Sequence, residues 1–154
     1  MRTWIRALTT AVVAALALSG LAAAQAKPDL NGTWKMNRAK SKFQAGGPEA
    51  ISIKFEQQGE KLSEVLTITG SEGDRVFNLS YTLDGKETTT ELRGEPFKST
   101  AKWEGNTLVI EVKGGPGALL RKFTFSEDGK TMTAAVQQPR PDGEINDVIV
   151  FEKQ

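Results

Sequence analysis

From Ile51 onward, apolar residues return at every second position in short runs bounded by turn residues, the period of a half-buried strand and not of a helix. Ile51, Ile53 and Phe55 alternate with Ser52, Lys54 and Glu56, and Phe77, Leu79, Tyr81 and Leu83 alternate with Asn78, Ser80 and Thr82. Leu108, Ile110 and Val112 continue the pattern, as do Met132, Ala134 and Val136. One face is therefore apolar and the other rich in Lys, Glu and Thr, the wet and dry sides of an antiparallel sheet. An outer-membrane barrel would need an apolar outward band, which this pattern does not supply.

The connections agree with antiparallel neighbours. Asp84-Gly85 between two alternating runs predicts a type I′ hairpin, because both central residues of that turn need positive φ. Gly105-Asn106, Asp128-Gly129 and Asp142-Gly143 read the same way, and the stretch from Gln58 to Lys61 is a further tight connection. Strands are expected near residues 32–37, 50–58, 61–69, 74–83, 86–93, 97–104, 107–113, 118–126, 131–138 and 144–152. Between the first two, the stretch from Arg38 to Phe43 fits one helical turn capped by Asn37. The fold class is all-β, an antiparallel up-and-down meander. Such a meander removes its exposed edges by closing into a barrel, with a two-sheet sandwich as the alternative.

Composition narrows the chemistry. The 154 residues contain neither Cys nor His, which excludes disulfide scaffolds, His-dependent catalysis and the usual zinc sites. A formal charge of +1 gives no electrostatic reason to expect nucleic acid or an anionic membrane as partner. The first 26 residues have the form of a secretory signal peptide: Arg2 and Arg6, an apolar run from Ala11 to Leu18, and a small-x-small site at Ala24-Gln25-Ala26. Thr9, Thr10, Ser19, Gly20 and Gln25 count against the alternative of a membrane anchor. Cleavage leaves Lys27 to Gln154 as one domain in a secreted or periplasmic location. Loss of Arg2 and Arg6 takes the charge from +1 to −1.

The run from Leu30 to Asn37, with Gly32 and Trp34, resembles the Gly-x-Trp opening of the calycins, which include lipocalins and fatty-acid-binding proteins. Val150-Phe151-Glu152-Lys153 is similar to the aromatic-Glu-Lys close of the latter, and Gly32 to Phe43 resembles the start of small secreted bacterial lipocalin-like proteins. The resemblance implies a lipocalin-like barrel with Gly32 and Trp34 in structural roles, Trp34 plugging one end. Two departures stand against a fatty-acid site. Ile149 occupies the position where fatty-acid-binding proteins carry an Arg, and the residues from Arg38 to Ala50 are too few for the helical pair of that family.

Polar residues on the apolar face carry the functional expectation. Arg121 shares parity with Phe123 and Phe125, and Asp147 with Ile145, Ile149 and Phe151. Glu64 shares it with Leu62, Leu66 and Ile68, while Ser99 lies between Phe97 and Ala101. A buried charge must be paired or neutralised, so Arg121 and Asp147 are expected within ion-pair reach, either as the polar end of a cavity or as a salt bridge at its mouth. Tyr81, Trp103 and Phe123 join them as candidate ligand-binding residues, the aromatic walls suiting an apolar ligand or a filled core equally. Gly114-Gly115-Pro116-Gly117 and Ala45-Gly46-Gly47-Pro48 lack the Lys-Ser/Thr of a phosphate loop and read as turns. Asn31-Gly32-Thr33 and Asn78-Leu79-Ser80 match the glycosylation acceptor pattern, which matters only in a eukaryotic secretory route. No cofactor or metal is expected. The leading function is binding of a small apolar or amphiphilic molecule without catalysis. The alternatives are an envelope protein-binding or structural module with a filled barrel and, behind both, a His-independent enzyme using carboxylates such as Glu64 and Asp147.

Overall fold

The alternating segments form ten strands: β1 (Gly32–Met36), β2 (Ala50–Gln58), β3 (Lys61–Gly70), β4 (Gly73–Thr82), β5 (Thr88–Leu92), β6 (Glu95–Glu104), β7 (Thr107–Lys113), β8 (Leu119–Phe125), β9 (Thr131–Arg140) and β10 (Gly143–Lys153). Their bounds differ from those expected by two residues or fewer. The structure, a computed structural model, describes residues 26–92, 94–114 and 118–154. The expected signal peptide up to residue 25 and residues 115–117 of the glycine-rich turn lie outside the described residues.

All ten strands belong to one antiparallel sheet, in the order β4-β3-β2-β1-β10-β9-β8-β7-β6-β5. First and last strands meet through Trp34↔Lys153 and Met36↔Phe151, so the sheet curls into a nearly closed barrel and the sandwich alternative falls away. Two-residue loops at Gly59-Glu60 and Gly105-Asn106 make tight hairpins, with both glycines at positive φ. The Asp84-Gly85 segment does not. Gly85 N–H donates to the Ala101 carbonyl at 3.0 Å and Asp84 bridges to Lys102, so this stretch pairs with β6 instead of folding β4 back onto β5. A seam without a hydrogen-bond ladder results between β4 and β5. It is spanned by the Thr88 hydroxyl, 3.0 Å from the Ser80 carbonyl on β4 and 3.3 Å from the Ser99 carbonyl on β6.

The inward positions build one core, including Phe55, Leu62, Leu108, Ile110, Phe123, Met132 and Phe151. Outward positions carry ion pairs along single strands, Lys54–Glu56, Lys102–Glu104 and Lys113–Glu111. These are exposed and contribute little to stability. The end formed by the β2–β3, β6–β7 and β8–β9 turns is closed by aromatic rings. Trp34 is fully buried and its indole N–H donates to the Leu30 carbonyl at 3.0 Å. Phe125 meets its ring edge-on at 6.0 Å between centroids and Trp103 leans on Phe125 at the same separation, an arrangement aromatic quadrupoles favour. The Lys153 ammonium lies 5.3 Å from the centre of the Trp34 ring.

Removal of the Trp34 ring opens this end. Trp34→Ala is expected to cost ~3–5 kcal/mol, the usual range for a buried Trp truncation, and to lower the melting temperature accordingly. Thermal unfolding followed by circular dichroism checks it; an unchanged melting curve would contradict the plug.

Candidate functional site

Across the barrel interior, Arg121 on β8 faces Glu64 on β3, with four strands between them in either direction around the sheet. Nη1 and Nη2 of Arg121 donate to Oε1 and Oε2 of Glu64 at 2.6 and 2.8 Å, a bidentate fork. Tyr81 completes the group. Glu64 pairs with Leu79 in the β3–β4 register, so Tyr81, two residues further along, is its diagonal neighbour on the same face. The Tyr81 hydroxyl donates to Glu64 Oε2 at 2.8 Å and accepts from Arg121 Nη2 at 3.0 Å. Arg121 is 5% exposed, Glu64 1% and Tyr81 2%. Arg121 Nε is buried without an acceptor among the described residues, and the guanidinium carbon lies 5.3 Å from the centre of the Phe123 ring.

Electrostatics follow from this seclusion. Burial, and then the neighbouring Glu64 charge, push the Tyr81 phenol far above its ordinary value, so it stays a neutral donor. Burial alone would lower the Arg121 guanidinium, but Glu64 together with Tyr81 more than offsets that and raises it. The group is a charge-balanced pair in which both terminal guanidinium nitrogens and both carboxylate oxygens are engaged, and Arg121 Nε is the buried donor left over.

Beyond the pair lies a cavity of about 760 Å³. Arg121, Phe123, Phe151 and Ile53 belong to its deep lining, and Ile51, Leu66, Ile68, Phe77, Leu119, Val136 and Ile149 to its walls. Glu64 and Tyr81 are not in its lining. The opposite end from Trp34 is its mouth, bordered by the β3–β4 and β9–β10 turns and by the segment joining β1 to β2. That segment starts with the expected helical turn, Arg38–Lys40, whose Lys40 N–H is capped by the Asn37 side chain at 3.2 Å. It continues as a strap along β10. Lys42 and Val148 exchange backbone hydrogen bonds, Asp147 Oδ1 accepts from Gln44 N–H at 2.9 Å, and Asn146 N–H donates to the Gln44 side chain at 2.9 Å. Arg38 braces the far side by donating to the Pro48 and Gly46 carbonyls. Gly47, at φ +90°, packs so closely on the Phe43 ring that a Cβ there would run into it.

Three of the five candidate ligand-binding residues line the cavity: Arg121, Phe123 and Asp147. Tyr81 stands behind Arg121, and Trp103 lies at the closed end against Phe125, outside the lining. The expected Arg121–Asp147 ion pair is not formed. Arg121 pairs with Val136 in the β8–β9 register and Val136 with Asp147 in the next, which sets the two charges two strand spacings apart, ~10 Å at the usual ~4.8 Å each. Glu64 takes Arg121 instead, and Asp147 serves the strap. Arg75 and Arg140 also line the cavity at its mouth. Strand parity contains that signal, since Arg75 follows the alternation of Phe77, Leu79 and Tyr81, and Arg140 that of Met132, Ala134 and Val136. Among the described residues no group of three His, Cys, Asp or Glu side chains could hold a metal ion.

No family model and no curated protein matches the chain. Solved structures do match its fold. A REP1-NXSQ fatty acid transporter superposes with a TM-score of 0.60 at 16% identity, covering 81% of this chain and 96% of its own. A secretory abundant heat soluble protein from Ramazzottius varieornatus gives 0.59 at 13%, covering 80% and 94%. Zebrafish ileal bile acid-binding protein, complexed with cholic acid, gives 0.56 at 18%, covering 80% and 98%. The neighbours include fatty-acid and bile-acid binding proteins. At these identities the likeness shows the fold.

Breaking the buried pair from one side strands a charge. Glu64→Gln or Arg121→Met alone should cost ~3–5 kcal/mol, while the apolar double variant Glu64→Leu/Arg121→Met should recover much of that loss. Chemical denaturation in a double-mutant cycle measures the coupling, and a value near zero would contradict the pair. Tyr81 offers an independent check because it is the chain's single tyrosine. An acid whose folded pKa lies above its unfolded one adds stability below the unfolded value and loses it as pH rises towards the folded one. Stability should therefore fall above pH ~10, the ordinary tyrosine value, and tyrosinate absorbance should appear only together with unfolding. Ionisation of folded protein near pH ~10 would contradict the buried hydrogen bond.

Proposed function

We propose that this protein is an exported, non-catalytic binder of a small apolar or amphiphilic molecule, held in the cavity next to Arg121. The observation that carries the reading is the cavity: about 760 Å³ lined mainly by aliphatic and aromatic side chains, with a few polar groups at its floor and mouth. Small-molecule sites have this size and composition. A structural or protein-binding module with a filled barrel would not leave that volume. The fatty-acid and bile-acid binding of its structural neighbours supports the same reading. A chain without His or Cys, whose interior carboxylate Glu64 is tied to Arg121, supports a role without catalysis. Export rests on the charged start at Arg2 and Arg6, the apolar run from Ala11 to Leu18 and the Ala24-Gln25-Ala26 site.

Native mass spectrometry of protein recovered from the exported fraction tests both parts. The expected species is a chain starting near Lys27 with a non-covalent small molecule that solvent extraction removes. Val136→Trp, which places an indole in the cavity, should weaken reuptake of the extracted molecule by about tenfold or more, as loss of a well-packed apolar contact surface implies. A chain beginning at Met1 in a membrane fraction would overturn export. Bare polypeptide that takes up no apolar probe would overturn the binding role.

A further inference from the structure

The interior arginine invites the reading that a ligand carboxylate docks on it, and the geometry argues the other way. Both terminal nitrogens of Arg121 are already engaged by Glu64 in a bidentate fork, and Tyr81 takes a further Nη2 contact. A carboxylate seeking the bidentate edge of Arg121 would have to displace Glu64, which is 1% exposed and has no cation other than Arg121 within ion-pair distance among the described residues, and the remaining Nε offers a single N–H on a guanidinium whose charge Glu64 already balances. That exchange replaces one buried pair by another and leaves an extra uncompensated carboxylate in the barrel, a strongly unfavourable state. A ligand carboxylate placed elsewhere in the depth of the cavity meets Phe123, Phe151 and Ile53, whose side chains offer it no hydrogen bond.

The mouth is different. Arg75 on β4 and Arg140 on β9 both line it, and among the described residues neither guanidinium has an ion-pair or hydrogen-bond partner. Of the acids on the same rim, Asp147 is engaged by Gln44 N–H, and Glu49 is exposed to solvent. Charge is thus tolerated at the rim, where water reaches it, and excluded at the floor.

We propose that the cavity accepts only the uncharged part of its ligand: neutral lipids enter whole, and ionised amphiphiles enter tail-first, leaving the headgroup at the mouth beside Arg75 and Arg140. This rests on the binding role proposed above and fixes the ligand's chemical class and direction. Glu64 is then a specificity residue, because its negative charge cancels the one interior cation that a carboxylate would seek.

The test compares two probes of equal chain length, hexadecan-1-ol and palmitate labelled with carbon-13 at the carboxyl, on delipidated protein. Wild type should bind the alcohol at least as tightly as the acid, and the bound carboxyl resonance should be broadened by a water-soluble paramagnetic agent. Arg75→Gln/Arg140→Gln should weaken palmitate about three- to tenfold and leave the alcohol unchanged, as expected for rim charges in partial contact with water. Glu64→Gln, where it folds, frees Arg121 and should shift preference towards palmitate by about tenfold or more, with the carboxyl withdrawn from the agent. Palmitate bound about tenfold more tightly than the alcohol by wild type, with a shielded carboxyl and indifference to the rim substitutions, would overturn the proposal and leave the binding role standing. Failure of both probes to bind would overturn the lipid-binding reading itself. The rim variants change exposed side chains only, so the outcome does not depend on the folding of Glu64→Gln.

Discussion

A guanidinium and a carboxylate withdrawn from water on opposite walls set the terms for the rest of the barrel. Arg121 and Glu64 are each tolerable at that depth only because the other is within reach, so the walls carrying β8 and β3 are held at the span of one bidentate contact. Tyr81 adds β4 to the same junction through a hydrogen bond on either side of its hydroxyl. On one side of it Trp34, Phe125 and the aliphatic core fill the interior, and on the other lies the cavity that Arg121 lines. The pair is at once a strut and a floor.

The closed and open ends answer different demands. At the closed end, Trp34 is fully buried and the partly buried Phe125, Trp103 and Lys153 pack around it, a packing specific to the shapes involved. At the open end, polar contacts do the holding. The strap that follows β1 is fastened to β10 by backbone exchange at Lys42 and Val148 and by the Asp147 and Gln44 side chains, none of which depends on a filled interior. The mouth is thus held from its rim by polar contacts, with Phe43 of the strap packed inward against the core.

The strands were legible because alternation is a local property, and local turn chemistry places most of their ends. Asp84-Gly85 carries the residues of a tight hairpin, yet its backbone groups find partners on β6, a preference set by tertiary neighbours that the two residues cannot encode. Parity put Arg121, Glu64 and Asp147 on the inner face, which is where Arg121 and Glu64 are buried and where Asp147 borders the cavity. What parity lacks is height along the barrel axis and direction across it. Arg121 and Asp147 share a row two strands apart, whereas Arg121 and Glu64 are remote around the sheet and adjacent through its hollow. Trp103 was grouped with the ligand-facing aromatics for the same reason, its parity being correct and its end of the barrel being the other one.

The seam between β4 and β5 has a bearing on how the molecule keeps to itself. A sheet that stops short of full closure exposes two rows of unpaired amides and carbonyls, the templates on which foreign strands add and fibrils grow. Here the two rows belong to strands consecutive in sequence and lie alongside each other, with β6 also against β4 and the Thr88 hydroxyl between them. Each edge screens the other from a third strand. Self-association through these strands would first require the seam to part, so the Thr88 hydroxyl and the packing of β5 and β6 against β4 guard the one break in the ladder.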